Sequence, residues 1–483
     1  MLSKPDLVKE TSFIDGLWAQ KGANNQFDVV NPATGETIAS VSDLDEKQVH
    51  EAIDAAVKAL PKWQSATAAY RSGILMNWYR LVLANLDDLA LLMTLEQGKP
   101  LSESRAEINY AASFIEWFAE EGKRTYGDVI PSPNAKNRII TLKQAVGVVA
   151  AITPWNFPSA MITRKIAPAL AAGCTAVVKP SEHTPLSALA LAYLASEAGL
   201  PPGVLNVLTV QDPLVFSNAV MRRKEVRKVT FTGSTRVGKL VMKAASDSVK
   251  RVSLELGGNA PFIVFEDADI DAAVAGAMAS KYRNAGQTCV CSNRIFVHES
   301  IMAPFVERFK RNVQALQVGD GTEEKTDVGP LINRAAVEKI EGLLKDAVEK
   351  GATLEWGGHK HAKGGTFFEP TIVCNLDDSM RMVHEEIFGP ISCIYSFSTE
   401  QEVVQKANQT SSGLAAYFYT NDLSRSWRVS ESLEYGMIGI NTGLISTAVA
   451  PFGGIKESGL GREGSKYGID EYLETKYVCI GAV

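Results

Sequence analysis

The chain has 483 residues, more than one hydrophobic core sustains, so it reads as more than one domain. Hydrophobic residues make up 46% and charged residues 22%, and 49 basic against 55 acidic residues leave a net charge of -6. That balance is globular, and with no long single-sign run it excludes nucleic acid or another polyanion as a partner.

The opening segment has neither an apolar h-region nor an Arg-rich amphipathic pattern, so no secretory signal or transit peptide is expected. No apolar stretch approaches a bilayer span, which argues against a membrane protein. Helical spacing of apolar residues predicts helices over 46–59, 68–83, 87–97 and 101–119, punctuated by Pro61 and by Gly98-Lys99-Pro100. From residue 145 the pattern changes to short apolar runs alternating with helices. Strands are predicted at 145–153, Thr175–Lys179, 204–209 and 228–232, with helices near 159–172, 188–198 and Thr235–Ser246. Such alternation predicts a parallel, doubly wound α/β sheet with a nucleotide at the carboxyl ends of its strands. A second α/β region begins near Leu254, with a strand at 261–265, a helix at 269–282 and further mixed segments through Phe388 and Tyr419. The last stretch, 472–480, alternates as a strand would. It is expected to pair in another subunit's sheet or in a small separate oligomerisation element.

Six cysteines are scattered at 174, 289, 291, 374, 393 and 479, which is no disulfide framework and suits a reducing cytoplasm. Cys289 and Cys291 form a C-x-C with no further ligands nearby, so no metal site is expected. Cys289 follows Asn284-Ala-Gly-Gln-Thr, an irregular turn from which a thiol could face a pocket. A lone cysteine is more often a small buried hydrophobe, so its company matters. Glu255, between two leucines and ahead of two glycines, is a candidate for desolvation and a raised pKa, as a general base requires; an edge-strand carboxylate in solvent is the plainer reading. Thr153-Pro-Trp-Asn-Phe-Pro closes a strand with a stiff loop from which the Asn156 amide could donate to an oxyanion. Phe231-Thr-Gly-Ser opens a helix whose N-terminus suits a phosphate, although it is not the GxGxxG fingerprint. Lys179-Pro-Ser-Glu supplies a cation and a carboxylate suited to ribose hydroxyls, or simply two solvated charges.

Together these segments resemble the aldehyde dehydrogenase family. Pro154-Trp-Asn-Phe-Pro, Phe231-Thr-Gly-Ser, Leu254-Glu-Leu-Gly-Gly, Gly286-Gln-Thr-Cys, Glu385-Glu-Ile-Phe-Gly-Pro and Pro451-Phe-Gly-Gly-Ile-Lys occur in the family's order. Within it, Phe114-Ile-Glu-Trp-Phe, Met161-Ile-Thr-Arg-Lys, Arg283-Asn-Ala-Gly-Gln-Thr-Cys-Val-Cys and Gly459-Leu-Gly-Arg-Glu-Gly most resemble succinate-semialdehyde dehydrogenases. The resemblance implies two Rossmann-like domains and a small β oligomerisation element. The expected boundaries are 1–122 with 143–253 for the cofactor, 254–455 for catalysis, and 123–142 with 456–483 for assembly into a dimer or tetramer.

It also implies the chemistry. Cys289 attacks an aldehyde, Asn156 and the Cys289 N–H hold the oxyanion, hydride leaves to a nicotinamide, and Glu255 activates water against the thioester. Thr153, Pro154, Trp155, Lys179, Pro180, Ser181, Glu182, Gly233, Ser234, Leu256, Glu386 and Phe388 would contact NAD or NADP. Bacterial relatives that use NADP tend to carry a small hydroxyl residue where this chain has Glu182, so NAD is expected to be favoured, with NADP tolerated. Arg164, Arg283 and Ser446 would grip a distal carboxylate on the substrate. Succinate semialdehyde is the expected substrate; glutarate semialdehyde or a broader aldehyde range is the alternative. Cys291, two residues from the nucleophile, is a candidate for a labile regulatory disulfide. A cysteine hydrolase, or a binding protein that kept the fold without the chemistry, is the rival from another class.

Overall fold

A computed structural model describes residues 2–19 and 25–481. Its largest sheet runs, in spatial order, Gly459–Leu460, Arg251–Glu255, Val226–Thr232, Val148–Ile152, Thr175–Lys179, Leu205–Val207, Phe13–Ile14 and Leu17–Trp18. The five central strands are parallel. Val148–Ile152 and Thr175–Lys179, at the centre, are nearly unbroken apolar runs because helices cover both faces. One face packs the helices Ala68–Ala84, Leu101–Glu121, Ala160–Ala172 and Pro185–Glu197. The other packs Glu46–Ser65, Pro213–Arg222 and Thr235–Ser246.

A second sheet of seven strands runs Thr353–Trp356, Thr371–Cys374, Ile391–Phe397, Ser292–His298, Ala260–Val264, Ala415–Tyr419 and Met437–Ile440. Only its first pair is antiparallel. Two α/β layers therefore face one another, and the loops at their strand ends meet between them. Among the described residues, no helix is long and apolar enough to cross a membrane.

The C-terminal strand Leu473–Ile480 pairs antiparallel along its whole length with Arg138–Ala145 of the same chain, in a three-stranded sheet completed by Val129–Ile130. Within the chain, this strand thus has a small separate sheet as its partner. The strand predicted at 145–153 is two strands. Arg138–Ala145 runs across residue 143, Gly147 breaks the chain at φ 127°, and Val148–Ile152 then enters the large sheet. The first helix, expected to stop at 59, continues to Ser65 with Pro61 inside it. Buried Trp63, whose indole donates to the Leu170 carbonyl (3.1 Å), holds that last turn against the lost backbone bond. The helix expected from 188 starts at Pro185, because the Glu96 carboxylate accepts from the Leu186 and Ser187 N–H groups (both 2.8 Å).

Candidate active site

Cys289 lies between the short turn Arg283–Gly286 and the strand Ser292–His298. That turn is unusual: Asn284 and Ala285 both take left-handed backbone angles (φ 51° and 54°). Such angles persist only where neighbours over-determine them. Here the Asn284 side chain accepts from Gln97 (3.0 Å) and donates to the Asn156 carbonyl (3.0 Å), while its backbone N–H donates to Glu103 (2.8 Å). The cysteine loop is thereby tied to the Asn156 segment. Gly258 allows the loop its approach, since a Cβ there would sit 2.4 Å from the Cys289 carbonyl.

Asn156 is buried, and its amide nitrogen donates to the Gln287 carbonyl (3.0 Å). One N–H remains for another acceptor. Its own carbonyl accepts from the buried Lys99 ammonium (2.7 Å). Lys99 in turn pairs with Glu107, whose other oxygen accepts from the N–H groups of Ser159 and Ala160 (3.0 and 3.2 Å).

Glu255 ends the strand Arg251–Glu255, and its buried carboxylate has one oxygen, Oε2, without a partner. Burial raises its pKa well above the ordinary value, and the nearby Glu463 charge adds to this; Arg164, Lys165 and Arg462 oppose it. Glu463 forms ion pairs with both Arg164 and Lys165. Burial works against its charge, but those two cations hold its pKa below the usual carboxylate range. The Cys289 thiol is pushed up to about 12, by burial first and by the Glu386 and Glu255 charges, with Arg164 and Arg283 pulling the other way.

Asn156, Glu255 and Cys289 line one cavity of about 350 Å³ with Pro154, Trp155, Gly233, Ser234, Leu256, Glu386 and Phe388. Glu386 accepts from the Gly258 N–H (3.1 Å), and burial lifts its pKa to about 7. The Phe388 ring meets Trp155 edge-on (5.6 Å). Glu182 lines an adjoining cavity of about 420 Å³, and Ile332 and Asn333 form a wall of both. Thr153 is buried, its N–H donating to the Lys179 carbonyl (3.1 Å). The Lys179 ammonium donates to the Pro180 carbonyl (3.1 Å) and to Glu182 (3.3 Å), and Ser181 accepts from the His183 N–H (3.3 Å).

Neither Arg164, Arg283 nor Ser446 lines these two cavities. Arg164 is buried with its guanidinium on the Phe452 ring (4.5 Å), and Arg283 faces the Phe157 ring (5.3 Å). Arg164 Nη2 and Arg283 Nε are buried without hydrogen-bond partners, whereas Arg164 Nε is the atom that pairs with Glu463. Ser446 is half-buried. The Cys291 thiol is buried against the Lys281 carbonyl (3.6 Å), and it and Cys289 are free thiols.

Sequence reasoning missed the wall from Ile332 to Lys339. Its links to the site include the Ile332 N–H donating to the Gln287 side chain (3.0 Å) and the Lys339 ammonium donating to the Glu386 carbonyl (2.6 Å), which no local pattern announces. Among the described residues no cluster of His, Cys, Asp or Glu could hold a metal ion.

Residues 18–478 match the aldehyde dehydrogenase family. The chain is 55% identical to succinate-semialdehyde dehydrogenase [NADP(+)] GabD of Escherichia coli, over 99% of both chains. It is 54% identical to glutarate-semialdehyde dehydrogenase of Pseudomonas aeruginosa, over 100% of both. The crystal structure of succinate-semialdehyde dehydrogenase from Burkholderia pseudomallei superposes with a TM-score of 0.98 at 55% identity, covering 100% of each chain. With that match over nearly the whole chain, and with Cys289, Glu255 and Asn156 lining one cavity, this chain belongs to the aldehyde dehydrogenase family.

Proposed function

We propose that this chain oxidises succinate semialdehyde to succinate with NAD(P), through a thioester on Cys289. The observation that carries the substrate is the pair Arg164 and Arg283, electrostatic neighbours of the Cys289 thiol, in which Arg164 Nη2 and Arg283 Nε are buried donors without partners. A neutral aldehyde leaves those donors unsatisfied, at about 1–3 kcal/mol each or more for charged groups, whereas a distal carboxylate accepts from both. The relatives named for succinate and glutarate semialdehyde support an ω-carboxylated substrate, and glutarate semialdehyde, one methylene longer, is the runner-up.

The groove fits a dinucleotide. Ser234 caps the Thr235–Ser246 helix, whose first N–H groups suit a pyrophosphate, and a Cβ at Gly233 would lie 2.5 Å from the Phe231 ring. Gly233 and Ser234 would hold the phosphates, Pro154, Trp155, Leu256, Glu386 and Phe388 the nicotinamide end, and Thr153, Lys179, Pro180, Ser181 and Glu182 the adenosine end. Bound there, NAD(P) supplies the acceptor for the aldehyde hydride. Glu182 favours NAD, because a 2′-phosphate would meet its carboxylate; its ion pair with Lys179 keeps NADP tolerated.

The chain's own residues do the rest. Cys289 gives up its proton to the Glu255 carboxylate, which passes it to solvent, and its sulfur bonds the aldehyde carbon. The free Asn156 N–H and the Cys289 N–H receive the oxyanion. Glu255, with its pKa lifted toward the working pH, takes a proton from water, whose oxygen displaces the sulfur and releases the acid. Free cysteines suit a reducing cytoplasm. A homo-oligomer, dimer or tetramer, is supported by the exposed Val129 and Tyr477 on the three-stranded sheet, and sedimentation velocity tests it.

A panel of aldehydes with either cofactor tests the substrate. The kcat/KM for succinate semialdehyde should exceed that for butanal by more than about 100-fold, two charge-assisted contacts being at stake. Replacing Arg164 or Arg283 by Ala should raise KM for the carboxylated substrate alone. Equal kcat/KM for the two aldehydes would overturn the reading.

A further inference from the structure

Tyr110 lies on the helix Leu101–Glu121, one turn before the stretch Phe114-Ile-Glu-Trp-Phe. Its ring packs edge-on against Phe114 (4.8 Å), and its buried hydroxyl has the Arg164 guanidinium beside it as a donor but no acceptor for its own O–H. A buried O–H left without an acceptor costs free energy unless something completes it. Its charged neighbours say what that is: Arg164 and Arg283 act on it most strongly, from a second helix and from the cysteine turn.

Donors from three separate elements, on Tyr110, Arg164 and Arg283, are thus orphaned, and each carrier is wedged against an aromatic ring: Phe114, Phe452 and Phe157 respectively. Aromatic packing fixes the three side chains before any substrate arrives, so little ordering is left to be done on binding. Resting on the substrate reading above, we infer that Tyr110 is a specificity-determining residue, its hydroxyl donating to the distal carboxylate between Arg164 and Arg283.

A carboxylate has four lone-pair sites, so a phenol can be accommodated beside two guanidinium groups. Burial pushes the Tyr110 pKa up against the pull of both arginines, so the hydroxyl keeps its proton and remains a donor. The carboxylate is the acceptor that Phe at this position could not serve.

Tyr110→Phe keeps the ring and its packing on Phe114 and removes one oxygen. It should raise KM for succinate semialdehyde about 10-fold, the size of one charge-assisted hydrogen bond, with kcat within about twofold. KM for butanal should stay within about twofold. The product provides a readout without turnover, since binding of succinate measured by calorimetry should weaken by the same factor. If Arg164→Ala discriminates between the two aldehydes and Tyr110→Phe does not, the tyrosine proposal is wrong while the substrate reading stands. If neither variant discriminates, both fall. A loss of kcat on both aldehydes would mark Tyr110 as merely structural and overturn it.

Discussion

Lys99→Met removes a buried cation bonded to the Asn156 carbonyl while keeping its length. The ammonium is buried, pairs with Glu107, donates to the Asn156 carbonyl and sits 3.9 Å from the centre of the Phe157 ring. Without it, Glu107 keeps its two backbone N–H donors at Ser159 and Ala160 but loses its only paired charge. Breaking a buried pair in this way costs about 3–5 kcal/mol. That is a large share of the roughly 5–15 kcal/mol that separates a folded domain from its unfolded chain. The Asn156 carbonyl keeps only the Asn284 amide, so the loop carrying the oxyanion donor loosens. A misplacement near 1 Å can cost on the order of 100-fold, so kcat should fall by roughly 10- to 100-fold. Scanning calorimetry and steady-state kinetics on Lys99→Met, Glu107→Gln and the double variant measure both effects. The double variant should recover more than half of the lost thermal stability, because no charge is left unpaired. If Lys99→Met unfolds at the wild-type temperature with wild-type kcat, the argument from this buried pair is refuted.

Cys289→Ala should abolish aldehyde oxidation while cofactor affinity, read by fluorescence titration, stays within about threefold, because only the covalent step is lost. Glu255→Gln should let a thioester accumulate, visible in the intact mass after mixing with substrate and quenching in acid. For Glu463→Gln the sign follows from two contributions: the variant removes a like charge that raises the Glu255 pKa, and it frees Arg164 and Lys165, which lower it. The acid limb of the rate–pH profile should therefore move to lower pH, and an upward move would contradict the assignment of Glu255 as base. Glu182→Ser should shift the kcat/KM ratio toward NADP by roughly tenfold, about 1.4 kcal/mol, unless Lys179 already governs the choice.

How far the sequence could be read depended on whether the deciding contacts were local. Thr175–Lys179 and Thr235–Ser246 were legible to the residue, the first as an apolar run between turn signals, the second because Ser234 caps it by accepting from Val237. The start at Pro185 was not, since its cap is the Glu96 carboxylate from a distant helix. Nor was the break at Gly147, where a backbone angle divides one apolar stretch between two sheets. Cys289, Glu255 and Asn156 carry recognisable motifs, and they line one cavity. Lys99, in the break at Gly98-Lys99-Pro100, and Glu107 and Tyr110, in the helix that follows, carry no local signal of a site. Only tertiary burial turns them into a fixed ion pair and a hydroxyl without an acceptor.

The buried charges around Glu255 have a logic that stability does not explain, because apolar residues of equal volume would often hold the fold as well. A carboxylate that must act as a base faces opposite hazards. Buried alone it stays protonated; paired directly with a guanidinium it stays ionised but is a poor base. Glu463 resolves the conflict by engaging both Arg164 and Lys165, so their charge reaches Glu255 only through space and Glu255 Oε2 is left without a partner. The same engagement leaves Arg164 Nη2 unbonded, the atom best able to turn toward a substrate carboxylate. One acidic residue thus keeps Glu255 unpaired, as the proposed base requires, and leaves Arg164 Nη2 available for the proposed substrate carboxylate. That is why the charge effects of Glu463→Gln should appear in the pH profile as well as in KM.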